Sequence, residues 1–200
     1  IGYYGHRPSG LCSEEEPPGK DFLAQVCVDW EAASLALEDA GTRRVCLRIA
    51  PVETLRGGAL PPLYWSCLAG PSWRVGSGNQ PFSWISLEDT VGMVATALAD
   101  ESWSGAYNCC APEATQLGAC AAQVGAVLGG RPQFSLPEKL VRLALGARAP
   151  LLLHGCLAVP ARAQQAGYSF VHPTLTTCLR QALGCYREGD AARDWSFEWF

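Results

Sequence analysis

Apolar residues recur at helical spacing after Asp21. Leu23, Val26 with Cys27, Trp30, Ala33 and Leu37 share one face, and Gly41 closes the run. The spacing predicts a helix from Phe22 to about Ala40, with Asp21 as its N-cap. Val45-Cys46-Leu47-Arg48-Ile49 then reads as a strand buried on both faces, as in a parallel sheet. A helix feeding such a strand predicts a βα crossover.

The pattern continues in the same style. Gly57-Gly58 precede a short helix over about Leu60–Leu68, and Trp73 to Trp84 is glycine-rich with strand character. Ser86-Leu87-Glu88-Asp89 has the Ser-x-x-acid form of a helix cap, and it opens a helix over Leu87–Ala99. Gly105–Cys110 reads as a strand, and Thr115–Leu128 as a helix ended by Gly129-Gly130.

After Arg131-Pro132 the texture changes. Helices are expected from Leu136-Pro137 to about Leu145, over Pro150–Leu153, over Pro160–Ala166 and over Pro173–Leu183. Gly167–Phe170 is a brief extended stretch. The expected organisation is an α/β part over 1–130, a small, mostly helical part over 131–185, and a charged, aromatic-ended tail over 186–200 outside the core.

Charge and composition narrow the function classes. The net charge is −4, and the basic residues are mostly scattered arginines. A nucleic-acid surface wants a clustered basic stripe, so no nucleic-acid partner is expected. No apolar run reaches the roughly 18 residues of a spanning helix. The ten cysteines sit mainly in apolar periodic segments, where Cys acts as a small buried hydrophobe, and no Cys-x-x-Cys occurs. His6, His154 and His172 lack ligand spacing to each other or to the cysteines. Free cysteines, no metal and a reducing intracellular compartment are therefore expected. Cytoplasm, plastid and mitochondrion are not distinguished, and oligomeric state is not legible.

Several motifs in order carry a family resemblance. They are Gly2-Tyr3-Tyr4-Gly5, Asp29-Trp30-Glu31-Ala32-Ala33, Gly57-Gly58-Ala59-Leu60, Gly76-Ser77-Gly78-Asn79-Gln80, Ser83-Trp84-Ile85, Asp89 and Ala111-Pro112-Glu113. Val159-Pro160, Ala166-Gly167-Tyr168-Ser169-Phe170 and Ala182-Leu183 extend the match to about residue 183. The order resembles the atypical short-chain dehydrogenase/reductases known as predicted NAD(P)-dependent nucleotide-sugar epimerases. The resemblance implies the C-terminal part of a Rossmann-type fold with a small helical C-terminal domain. It also implies an N-terminal half, expected upstream of Ile1, whose glycine-rich turn holds the cofactor pyrophosphate.

The chain departs from the wider superfamily at its catalytic pair. The Tyr-x-x-x-Lys slots fall at Leu23 and Cys27, and neither side chain donates a proton or grips a ribose as Tyr and Lys do. The family itself generally lacks the pair. Ser86 stands where the family's Trp-Ile-His has its imidazole. The loop Ile49-Ala50-Pro51-Val52-Glu53, expected near the nicotinamide, loses a backbone donor at Pro51. Ile49 and Val52 are its cofactor-binding candidates.

Candidate substrate-binding residues are Tyr4, Arg48, Gln80 and Trp84. The Tyr4 phenol at a strand end suits a substrate oxygen and is the one candidate for a catalytic acid. Arg48 interrupts an apolar strand. It suits either a bidentate grip on phosphate or carboxylate, or a buried ion pair with Glu31 or Glu88. Gln80 and Trp84 combine an amide with an aromatic face, as a sugar or nucleobase wants. Ser86, Glu88 and Asp89 read as helix capping, Asp29 and Glu31 as structural, and Cys109-Cys110 as strand residues.

Two functions stay open. One is an NAD(P)-dependent epimerase or reductase of a sugar-like or nucleotide-sugar substrate, with NAD or NADP bound by the longer protein. On this reading the 200-residue chain alone is inactive and binds no cofactor tightly. The other is a non-catalytic Rossmann-type binding or scaffold protein. Plastid members of the resembling family are linked to organelle division, so a link to organelle or cell division belongs to that reading.

Overall fold

The computed structural model describes residues 1–184 except 40, 59 and 131. The aromatic tail and Cys185 lie outside the described residues, and with them the expectation for the tail. The chain runs β1 (Leu11–Cys12), α1 (Phe22–Ala33), α2 (Ala36–Asp39), β2 (Val45–Ile49), β3 (Val52–Glu53), α3 (Leu60–Ala69), β4 (Ser72–Val75), β5 (Pro81–Phe82), β6 (Ile85–Ser86) and α4 (Leu87–Ala99). It continues β7 (Gly105–Cys109), β8 (Thr115–Gln116), α5 (Leu117–Val127), β9 (Gln133–Leu136), α6 (Glu138–Leu145), α7 (Pro150–Leu153), β10 (Leu157–Ala158), α8 (Ala161–Gln165) and α9 (Leu175–Gly184).

The longest pairing is parallel: β2 runs beside β7 in the register Val45↔Gly105 through Ile49↔Cys109. Three further parallel pairs are shorter, β3 with β6, β4 with β9 and β1 with β10. The fold is thus α/β with parallel strands joined through helices.

Local chemistry sets the element ends. The Asp21 carboxylate accepts from Ala24 N at 2.9 Å and starts α1. The expected single helix to about residue 40 breaks at Ser34. Its hydroxyl donates to Glu31 O at 2.9 Å, so a side chain takes over a backbone contact and a short second helix follows. Ser86 Oγ accepts from Asp89 N at 2.9 Å, which caps α4. Pro61 and Pro62 sit in the first turn of α3, where their missing N–H groups cost nothing.

Strands β1, β9 and β10 were not signalled by the sequence. β9 replaces the expected start of a helix at Leu136, and α6 begins at Glu138. Gly167–Phe170 forms no strand. Pairing of β9 with β4 and of β10 with β1 ties the last third of the chain to the middle and first thirds.

Three apolar clusters fill the interior. The first joins β2, β7 and α4 through Met93, Ala97, Trp103 and Tyr107, and it takes in Cys12, Cys109, Cys110 and Cys156. The second lies among α3, α5 and α9, around Leu60, Trp84, Val124 and Leu179. A small third cluster holds Val141, Ala149 and Leu153. The nine described cysteines are free thiols, seven of them buried. No described helix is long and apolar enough to cross a membrane.

The C-terminal segment is fastened at one carboxylate. Asp89, fully buried, accepts from Ser86 Oγ at 2.7 Å, Val171 N at 2.7 Å and His172 N at 3.0 Å. Tyr168 Oη adds a bond to Asp89 O at 3.2 Å, over Gly92, where a Cβ would collide with the phenol. Glu113 accepts from Leu175 N and caps the next helix.

Candidate functional site: a cleft along β2

Side chains alternate along β2. Val45 and Leu47 enter the first cluster beneath α4, while Cys46 and Arg48 face α1. Arg48 is 8% exposed and its donors are spent within the protein. Nε reaches Glu31 Oε1 at 2.7 Å and Nη2 reaches Glu31 Oε2 at 2.9 Å, a bidentate pair between β2 and α1. Nη1 reaches Tyr4 Oη at 3.0 Å and Glu14 O at 3.3 Å. The guanidinium also lies 3.4 Å from the centre of the Tyr3 ring.

The network continues inward. Tyr4 Oη donates to Asn108 Oδ1 at 2.7 Å, and Asn108 Nδ2 donates to Cys12 O and Val159 O, both at 3.0 Å. Burial pushes the Tyr4 phenol up to about 12, although the Arg48 bond pulls it down. Burial alone would depress the Arg48 guanidinium, but its bonds to Glu31 and Tyr4 outweigh that and hold its pKa above the ordinary value. A neutral phenol between an arginine and an amide is a fixed hydrogen-bonding post. At neutral pH it is poorly suited to titrate.

A cleft of about 490 Å³ opens beside this network. Tyr3, Cys27, Trp30, Leu47, Arg48 and Ile49 are among its walls. Apolar and aromatic surface dominates, and the one arginine in it is already paired. Leu23 and Cys27, at the slots of the superfamily's catalytic pair, lie beside Gly2 at the same end.

The other candidates lie elsewhere. Gln80 Nε2 donates to Val75 O at 2.9 Å inside its own turn, and its Oε1 is buried without a hydrogen-bond partner among the described residues. Trp84 is fully buried in the second cluster, and its Nε1 likewise has no such partner. The structure therefore brings Arg48 and Ile49 to the cleft, with Tyr4 hydrogen-bonded to Arg48 but fully buried and not among the cleft walls. Neither Gln80 nor Trp84 hydrogen-bonds to that network. Val52 is half-buried against the first cluster.

Sequence reasoning passed over Asn108 and Glu14. Asn108 is a lone amide in an apolar strand, a signal equal to that of Arg48. Glu14 sits in a run of three glutamates in a turn, where nothing singles it out. Its carboxylate accepts from Asn108 N at 3.0 Å and from Arg162 N at 3.3 Å.

Comparison with known proteins gives this geometry a family. Residues 136–182 match the family model described as Domain of unknown function (DUF1731). The chain is 35% identical over 186 residues to the Arabidopsis thaliana epimerase family protein SDR39U1 homolog, chloroplastic, covering 92% of this chain and 52% of that protein. It is 34% identical to mouse epimerase family protein SDR39U1, covering 92% of this chain and 63% of that one. Among solved structures, human epimerase family protein SDR39U1 (isoform 2) with NADPH matches with a TM-score of 0.86 at 31% identity, covering 92% of this chain and 63% of that chain. The chain thus spans from about half to three-fifths of the length of these relatives. It belongs to the epimerase family of atypical short-chain dehydrogenase/reductases, and its parallel α/β layer is part of their Rossmann-type fold.

Proposed function

We propose that this chain forms the substrate-side wall of an NAD(P)-dependent reductase or epimerase acting on a sugar-like small molecule. The observation that carries the reading is the cleft that runs along a parallel strand from Cys46 to its C-terminal residue Ile49; open α/β sheets place their ligands at such strand ends. Likeness to a relative crystallised with NADPH supports it.

The residues present fit one face of a dinucleotide site. Ile49, Tyr3 and Trp30 offer apolar surface at the cleft, and Ile49 with Val52 brackets the loop nearest it. When bound, a nicotinamide supplies or accepts hydride. The chain's own part is to present that wall, to exclude water, and to hold the Tyr4 hydroxyl and the Arg48 guanidinium fixed. No seat for a pyrophosphate is offered, because Arg48 is held by Glu31 and the sequence has no glycine-rich nucleotide turn.

Calorimetry tests both halves of this proposal. The 200-residue chain is expected to show no saturable NADPH or NADH binding tighter than about 1 mM. A chimera that joins it to the part of the human relative it does not match is expected to bind with micromolar affinity. Micromolar binding by the chain alone would overturn the missing seat. A folded chimera blind to both cofactors would overturn the NAD(P) reading.

A second reading, a non-catalytic binding or scaffold protein of the same fold, is favoured by one observation. Cys27 in the cleft wall and Leu23 beside Gly2 supply neither phenol nor ammonium. A chimera that binds NADPH yet oxidises none of it with nucleotide-sugar ketones would support that reading. The compartment proposal stays intracellular and reducing, supported by cysteines serving as buried packing residues and by chloroplastic and bacterial relatives.

A further inference from the structure

The small sheet of β4 and β9 has one edge in use and one bare. Ser72 N donates to Pro132 O at 2.9 Å and Gly76 N to Leu136 O at 2.8 Å, so the even-numbered residues of β9 turn their backbone groups toward β4. Gln133 and Ser135 turn theirs away. Among the described residues no strand pairs with them on that side, and no hydrogen bond reaches those outward groups. On the β4 side the following turn closes the edge: Val75 O accepts from Gly78 N at 3.0 Å and from Gln80 Nε2 at 2.9 Å.

The two faces of this sheet differ. Trp73, Val75, Phe134 and Leu136 share one face. Val75 and Leu136 pack there against Val141, Ala149 and Leu153 of the third cluster. Trp73 and Phe134, opposite each other with ring centres 6.2 Å apart, stay 39% and 54% exposed. The other face carries Ser72, Arg74, Gln133 and Ser135 and is polar. A sheet edge that is bare beside a half-covered aromatic face has room for one more strand, aromatic on one side and polar on the other.

The chain itself carries such a segment beyond α9. Trp195, Phe197 and Trp199 alternate with Ser196 and Glu198, so in extended form the three rings share one face. The family model ends at residue 182, and this segment lies outside it. The chain leaves α9 near the starts of both strands. Ala182 and Leu183 share the second cluster with Tyr64 and Cys67 of α3 and with Val127 and Leu128 at the end of α5, and these two helices lead into β4 and β9. Trp195 is eleven residues past Gly184, a reach of about 35 Å when extended. We propose that residues 195–199, which lie outside the described residues, add to the bare edge of β9 as a third strand, with Trp195, Phe197 and Trp199 on the face of Trp73 and Phe134. Backbone bonds to Gln133 and Ser135 supply the pairing, and the aromatic strip selects this segment. The docking depends on neither the cleft nor a cofactor.

Amide exchange and limited chymotryptic digestion of the 200-residue chain test this. The Gln133 and Ser135 amides are expected to be protected, equally in dilute and concentrated samples. Trp195→Ser with Trp199→Ser should speed their exchange about tenfold or more, while the amides of β2 stay unchanged and report an intact core. From the other side, Phe134→Ser and Ser135→Pro should each speed cleavage at Trp195 and Trp199 about tenfold, since the proline deletes an outward donor that β4 does not use. Phe22→Ser, at an exposed site on α1, should leave cleavage unchanged. Exchange at Gln133 and Ser135 that ignores the double variant, or cleavage indifferent to both Phe134→Ser and Ser135→Pro, overturns the proposal. Protection that appears only in concentrated samples also overturns it, because the occupant is then a second copy.

Discussion

Arg48 shows how a residue that looks like a ligand grip becomes a beam. Its bidentate bond to Glu31 and its contact with Tyr4 tie β2 to α1 and to the N-terminal turn. Arg48→Ala should destabilise the protein by about 3 kcal/mol, because Glu31 and Tyr4 lose their partner in a half-buried place. Removing Glu31 as well should cost less than the sum of the two single changes, which chemical denaturation of the four proteins in the cycle measures. Glu53 makes the opposite case. It is 4% exposed on β3, and burial raises its carboxyl from 4.5 to about 7. The folded state then holds the proton more tightly than the unfolded chain. Its contribution is full below pH 4.5 and is lost as pH rises through 7, by about 3 kcal/mol. Glu53→Leu should flatten that slope and raise the melting temperature at pH 8 by roughly 5 °C or more. An unchanged difference between pH 5 and pH 8 melts would show that Glu53 is not the group responsible.

At the scale of elements, α4 joins two parts of the molecule. Ser86 caps its first turn at the Asp89 amide, and the Asp89 carboxylate holds the Ser86 hydroxyl and receives the Val171 and His172 amides. Asp89→Ala should therefore do more than release the Ser86 hydroxyl. It strands two amides, should cost about 3 kcal/mol, and should speed proteolysis between residues 167 and 174 before the rest of the chain. Uniform digestion would contradict the fastening role. The sequence told α4 almost in full, since Ser86, Asp89 and a long amphipathic run all agree on it. β2 was equally plain, because five apolar or interrupted-apolar residues between turn signals leave few alternatives. β1 and β10 were invisible. Two-residue strands have no period, and their partners lie far along the chain. β9 was hidden for another reason: Leu136-Pro137 signals a helix start equally well, and pairing with β4 decides the preceding residues. Beside the cleft, Tyr4 and Arg48 could be read from polarity against pattern. Which partner would claim them could not, because Glu31 meets Arg48 through the packing of α1 on β2.

For the whole molecule, the exposed apolar residues of α1 and α4, Trp30, Val91 and Leu98 among them, govern behaviour in solution. Apolar stripes on α1 and α4 leave surface that water solvates poorly, and the 200-residue chain alone should bind an apolar dye and self-associate as concentration rises. Val91→Glu with Leu98→Glu should cut dye fluorescence at least twofold while leaving the far-ultraviolet circular dichroism intact. Unaltered fluorescence would place the sticky surface elsewhere.

Arg162 Nη1 donates to Ala106 O at 2.8 Å and the Glu14 carboxylate accepts from Asn108 N at 3.0 Å, and this sealing of the outward edge of β7 limits what such self-association through strands can become. A fibril needs each subunit to be adhesive at two opposite ends, so that every addition leaves a fresh end for the next. Here growth by strand pairing of the β2–β7 sheet has one live end. Two chains that meet β2 to β2 annihilate it and stop at a pair.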